Sequence, residues 1–395
     1  MKYSICIYFL VVFTKLSLSQ LAKSYVITLQ PDVTLAAFLE YEVKKLEEFQ
    51  IKEAIVQTFQ IGDLCGFSGT FSDEAVGALA ACPLVDEISQ DVVVRSFDVK
   101  NQAGAPRHLA RLSRRKRMNP NRKYPFIYDD DNVGKHVYAY VIDSGVNIGH
   151  PEFQGRARTG KDFTGEGPGD KNGHGTHIAG IIGSETYGVA KKVQVIDIKV
   201  LDSGGFGTLS SVISAIEFAV VHRSKSGRNG VANLSFGTTA RNSVLESVIK
   251  HASQTGLLFV VAAGNSNIDA CKTTPSSSPY TITVGAIDDH DDAIASFSNW
   301  GSCVDIFASG AYVRSVDIGN TYRASIMSGT SMASSVVAGL VANMLTEGIE
   351  PENIKFEVVN VATRDRIPET SFAFRPGTVN RIANNGFDIS QYKEG

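Results

Sequence analysis

Asp143, His174 and Ser331 are the residues of this chain best suited to do chemistry together. A hydroxyl attacks a peptide carbonyl readily only when a base takes its proton and a carboxylate holds that base in place. Asp143 follows the apolar run Tyr138-Ala139-Tyr140-Val141-Ile142 and precedes Ser144-Gly145. That places a carboxylate at the carboxyl end of a buried strand, where the functional groups of parallel sheets collect. His174 stands in Asn172-Gly173-His174-Gly175-Thr176-His177, whose glycines let a helix begin in tight packing. Ser331 stands in Ser328-Gly329-Thr330-Ser331-Met332-Ala333, ahead of another apolar helix. Its hydroxyl and N–H then lie at a helix N-terminus, which favours developing negative charge. Singly, these residues read as a capping aspartate, a satisfied histidine and an N-cap serine. Their conjunction, in the order Asp, His, Ser, carries the argument. A metal site built on His174 and His177 is disfavoured, because no glutamate stands between them and no distant ligand set accompanies them.

Such a triad needs a sheet whose strands all end at one edge. Nearly continuous apolar runs at residues 137–142, 193–200, 231–234 and 257–262 predict buried strands, and residues 209–221 and 243–253 have helical periodicity. Alternation of this kind predicts an α/β domain, a mainly parallel sheet covered by helices on both faces. Residues 25–94 have a different texture. A strand at 25–29, a helix at 34–49, a strand at 54–58, a glycine-bounded turn around Gly66 and Gly69, a helix at 73–81 and a strand at 92–94 predict a small α+β unit like the β-α-β-β-α-β ferredoxin type.

The chain has 395 residues, 43% of them apolar and 20% charged, with a net charge of −3. No block of like charge is long enough to hold a polyanion, so nucleic acid is not an expected partner. Lys2, the apolar run from Ile5 to Phe13 and Ser17-Leu18-Ser19 predict a signal peptide over 1–19. The run is too short to span a bilayer, so a soluble product of the secretory pathway is expected, extracellular or in a lytic compartment such as a vacuole. Beyond the signal lie Cys65, Cys82, Cys271 and Cys303, an even count compatible with disulfides or with buried thiols. Arg114-Arg115-Lys116-Arg117 reads as a solvated basic loop or as a processing site, the loop being favoured.

Asp143-Ser144-Gly145-Val146, His174-Gly175-Thr176-His177 and Gly329-Thr330-Ser331-Met332-Ala333 resemble the three signatures of the subtilase family. Ala105-Pro106 with Leu109-Ala110-Arg111, Asp269-Ala270-Cys271, and Asn299-Trp300-Gly301 with Cys303-Val304-Asp305 resemble its proteinase K and cerevisin branch. The resemblance implies a three-layer subtilisin-like fold over 101–395, preceded by a propeptide over 20–100 that chaperones folding and inhibits until it is cut off. It implies a serine endopeptidase acting on protein or peptide substrates, expected as a monomer. Ser331 would be the nucleophile, His174 the base and Asp143 its partner, with Asn265 and the Ser331 N–H forming the oxyanion hole. Substrate would lie as an added strand between Gly205-Phe206-Gly207 and Ser235-Phe236-Gly237.

The resemblance also implies a Cys271–Cys303 disulfide, no cofactor for catalysis, and a structural calcium held by Asp305 and the carbonyls of Pro279 and Thr281. Four features depart from the family: Ser334-Ser335-Val336 stands where most relatives have Thr or Ser, then Pro and His, Thr238 replaces a glycine, Phe236 replaces a leucine, and Arg107 stands where relatives often carry tryptophan. The alternative function is a subtilase scaffold that cleaves itself once, keeps its propeptide and acts by binding.

Overall fold

The computed structural model describes residues 23–387, except 47, 48, 50, 92–98 and 132. The expected signal peptide and the expected strand at 92–94 therefore lie outside the described residues. Two compact units divide at Arg95 and Ser96.

The small unit is a four-stranded antiparallel sheet with its helices. Lys23–Leu29 lies between Leu64–Phe71 and Val85–Gln90, and Ile55–Ile61 forms the other edge. Leu64–Phe71 runs as a strand through Gly66 and Gly69, where a turn was expected, because strands paired on both sides hold the glycines extended, and the last described strand, Val85–Gln90, shows no apolar run because charged and polar residues interrupt it. The expected helix at 34–49 is Leu35–Leu46, followed by a short turn of helix at Ile51–Ala54. Ile27, Phe38, Phe67, Phe71 and Leu79 fill the core, together with Cys65 and Cys82.

In the large unit, seven strands run parallel in the order Ile306–Ser309, Ile282–Asp288, Leu258–Ala262, Gly230–Leu234, Tyr138–Asp143, Gln194–Lys199, Ala157–Asp162. Both faces are covered, which explains why the inner strands are apolar on both sides, whereas the edge strand Ala157–Asp162 is polar, with half its residues exposed. One face packs on the helices His174–Gly183 and Thr330–Thr346, the other on Leu209–Ser226 and Ser243–Ser253. From Tyr138–Asp143 the chain builds the sheet first to one side, through 157–162 and 194–199, and then to the other, through 230–234 onward. Asp143 thus ends the strand at the switch point, where open sheets form their functional crevice. Val99–Gln102 pairs with Phe126–Asp129 in this unit, so it straddles the boundary expected at 100/101.

The basic run is tied down by its surroundings. Arg114 stacks on Tyr124, and Arg115 donates to the carbonyls of Val361 and Ala362. Asn233, in the sequon Asn233-Leu234-Ser235, is buried and donates to Ser235 Oγ.

Candidate active site

Asp143 is fully buried, and its Oδ1 accepts from the Ser144 N–H and from His174 Nδ1, both at 2.7 Å. Burial works against the charged form of His174, but the charge and hydrogen bond of Asp143, with Asp170 farther out, raise its pKa above the ordinary histidine value. Asp170, unnoticed in the sequence, builds the start of this helix. Its oxygens accept from Ser144 Oγ, from the N–H groups of Asn172, Gly173 and Thr176, and from Thr176 Oγ1. An acidic residue four positions before the histidine was the available signal. Gly173 caps the helix at φ 101°, a left-handed conformation costly for other residues, and a Cβ on Gly175 would overlap the Gly145 carbonyl oxygen. Both glycines let the helix start close to Asp143.

Ser331 lies in the first turn of Thr330–Thr346, a helix buried over nearly its whole length. Its Oγ donates to the Ser235 carbonyl at 3.0 Å, and no hydrogen bond joins it to His174 among the described residues. Ser334 and Ser335, where relatives differ, give their hydroxyls to the Ser331 carbonyl at 3.0 and 2.8 Å. Back-bonding of this kind satisfies buried hydroxyls within a helix. Asn265 is oriented by Thr330, whose N–H and Oγ1 both donate to its Oδ1, at 2.8 and 2.9 Å. The amide nitrogen lies next to Gly329, where a Cβ would stand 3.3 Å from it.

Asn265 and Ser331 line one cavity of about 280 Å³ with Ser235, Phe236, Gly237 and the segment 273–276. No charged residue lines it. Glu246 is joined to the lining residue Thr274, whose hydroxyl donates to it, and is also engaged by Arg241 and Ser277. Asp202 and Asp269 direct oxygens into their own loops, toward the N–H groups of Gly204 and Phe206 and of Cys271. Gly205-Phe206-Gly207 is irregular loop that follows a turn at 203–204, not a strand, with Phe206 exposed; the neighbouring Ser203 carbonyl accepts from Asn172, two residues before His174. Neither this segment nor Ser235-Phe236-Gly237 belongs to a paired strand.

Cys271 and Cys303 form a disulfide. The expected calcium ligands need correction. Asp305 Oδ2, the Thr281 carbonyl and the Pro279 carbonyl face the Lys355 ammonium, at 2.9, 2.8 and 3.5 Å. A calcium ion there would share its place with a like charge, so the residues present do not fit the metal. The sequence reading missed Lys355 because it lies 50 residues beyond Asp305, on another element.

Asp197, beneath the site on Gln194–Lys199, is buried, and burial pushes its carboxyl up to about 7 despite a hydrogen bond from the Val146 N–H. An unfolded aspartate ionises near 3.8, so between these values the native state holds a proton that the unfolded chain has lost. Stability is therefore lost as pH rises through this window. Asp197→Asn is expected to be more stable than the parent by on the order of 2–4 kcal/mol at about pH 8, the gap closing toward pH 4. Thermal melts of both proteins across pH check this. On the acid side, burial holds His108 and His177 down at about 4, and the stability they contribute is lost as pH falls from 6.5 toward that value.

Residues 134–381 match the family described as the subtilase family. The chain is 37% identical to the subtilase-type proteinase RRT12 of Saccharomyces cerevisiae, over 93% of this chain and 83% of that protein. It is 39% identical to cerevisin of the same yeast, over 84% of this chain and 55% of cerevisin. A crystal structure of a cold-adapted subtilisin-like serine proteinase superposes with a TM-score of 0.64 at 38% identity, covering 71% of this chain and 98% of that one. The matched span begins before the strand that carries Asp143 and ends beyond the helix that carries Ser331, and relatives align over most of the remainder, so this chain belongs to the subtilase family.

Proposed function

We propose that the protein is a serine endopeptidase that hydrolyses peptide bonds through an acyl-enzyme, made as a self-processing zymogen. The observation that supports this best is the Asp143–His174 pair at the switch point, on the same sheet edge as the cavity shared by Ser331 and Asn265. Ser331 Oγ turns from the Ser235 carbonyl to His174 Nε2 and attacks the scissile carbonyl. Catalytic hydrogen bonds commonly tighten only when substrate is bound. His174 takes the proton and gives it to the leaving amine; water then repeats the attack on the ester, and His174 returns the proton to Ser331. The Asn265 amide and the Ser331 N–H hold the oxyanion in both steps.

In this reading residues 1–19 direct the chain into the secretory pathway and residues 20–100 are the inhibitory propeptide, cut from 101–395 by the enzyme itself between Arg95 and Gln102. No helix among the described residues is long and apolar enough to cross a membrane. The mature product is a monomer released outside the cell or into a vacuole.

An uncharged cavity beside the nucleophile accepts a large apolar or aromatic side chain, worth about 25 cal/mol per Å² buried. A lysine or arginine there would be desolvated without a partner. A fluorogenic peptide ending in Ala-Ala-Pro-Phe is expected to be cut with at least about tenfold higher kcat/KM than one ending in Lys-Arg. Better cleavage of the dibasic peptide would overturn the apolar pocket, and cleavage of neither would count against the peptidase.

A further inference from the structure

We propose that Lys355 is a built-in cation: its ammonium takes the seat of a metal ion on the oxygens of Pro279, Thr281 and Asp305, and so holds the wall of the substrate cavity without calcium. The three oxygens come from two carbonyls and a carboxylate, a set with no nitrogen or sulfur, which suits a hard cation. An ammonium has three N–H donors and no acceptor, one donor for each oxygen. Asp305 Oδ2 also accepts from the Thr283 N–H at 2.9 Å, so the seat is braced by the sheet before any cation arrives. Among the described residues, Lys355 is the one cation in ion-pair contact with Asp305.

Lys355 reaches the seat from the helix Pro351–Asn360, which is anchored through buried Ile354 and Val358. Its cation therefore arrives covalently tethered, whereas a metal must be captured from solution. The segment it holds continues into the cavity. Thr281 Oγ1 donates to the Ser278 carbonyl and Thr283 Oγ1 to the Ser276 carbonyl, and Thr273, Thr274, Pro275 and Ser276 line the cavity. The lysine thus steadies the far end of the loop whose near end meets substrate.

The test uses the full chain carrying Ser331→Ala, which prevents self-digestion and makes the readouts independent of catalysis. Calcium bound per chain is measured by equilibrium dialysis for this parent and for the same chain with Lys355→Ala. The alanine variant is expected to bind one calcium more than the parent. In chelator it is expected to melt roughly 3–6 °C lower, and calcium is expected to restore the loss. Equal calcium in both proteins, or a melting loss that calcium cannot reverse, overturns the proposal. Lys355→Met keeps the apolar stem and removes the charge, and serves if the alanine variant does not fold. The same drop in chelator is expected of it, and an unchanged melting temperature would likewise overturn the proposal.

Discussion

Ser331→Ala is expected to lower kcat by about 10⁶-fold, the size of loss seen in subtilisin when its nucleophile is removed. The helix start and the Asp143–His174 pair are built without the Ser331 hydroxyl, whose hydrogen bond goes to the Ser235 carbonyl. Deleting that hydroxyl removes the attacking atom and leaves the surrounding framework standing, so circular dichroism and melting should change little. Two further consequences separate this role from a structural one. A fluorophosphonate probe should label the mature parent and not the variant, because only a base-activated hydroxyl attacks phosphorus quickly. The variant precursor, produced without other proteases, should also remain uncut between Arg95 and Gln102. Cleavage there would refute self-processing, and full labelling of the variant would refute Ser331 as nucleophile.

Asn265→Ala is expected to lower kcat by about 10²–10³-fold with KM nearly unchanged, since charge develops on the oxyanion only near the transition state. Alanine also removes the acceptor that binds the Thr330 N–H and hydroxyl, so part of its effect could come from a disturbed helix start. Asn265→Asp resolves this. It keeps an oxygen facing Thr330, replaces the amide donor by an acceptor and adds a negative charge beside the oxyanion. It should lose at least as much kcat as the alanine variant while melting close to the parent. A loss confined to KM in both variants would contradict the role.

Periodicity and composition were enough to recover the alternation of strands and helices in the large unit. Its inner parallel strands are buried on both faces and so carry continuous apolar runs, as in Tyr138–Asp143 and Leu258–Ala262. The strand Val85–Gln90 escaped that reading because none of its residues is fully buried and its two half-buried ones, Val85 and Ile88, stand three apart rather than alternating. Asp143, His174, Ser331 and Asn265 were legible because each sits in a short motif at an element boundary, where backbone demands restrict the neighbouring residue types. Asp170 and Thr330 were not singled out, although both support the site. Their role is to hydrogen-bond groups that the motifs display, and a single acidic or hydroxyl residue carries no pattern of its own.

What the sequence by itself determined was the alternation of strands and helices in the large unit and the candidate residues at their ends, since both depend on local residue types and spacing. Tertiary structure alone decided which distant groups meet. Asp305, Pro279 and Thr281 present oxygens that any cation could satisfy, and nothing near them in the chain says which one does. The packing of the helix Pro351–Asn360 brings Lys355 to those oxygens. Electrostatic complementarity acts through space, so the identity of that cation became visible only once the chain was folded.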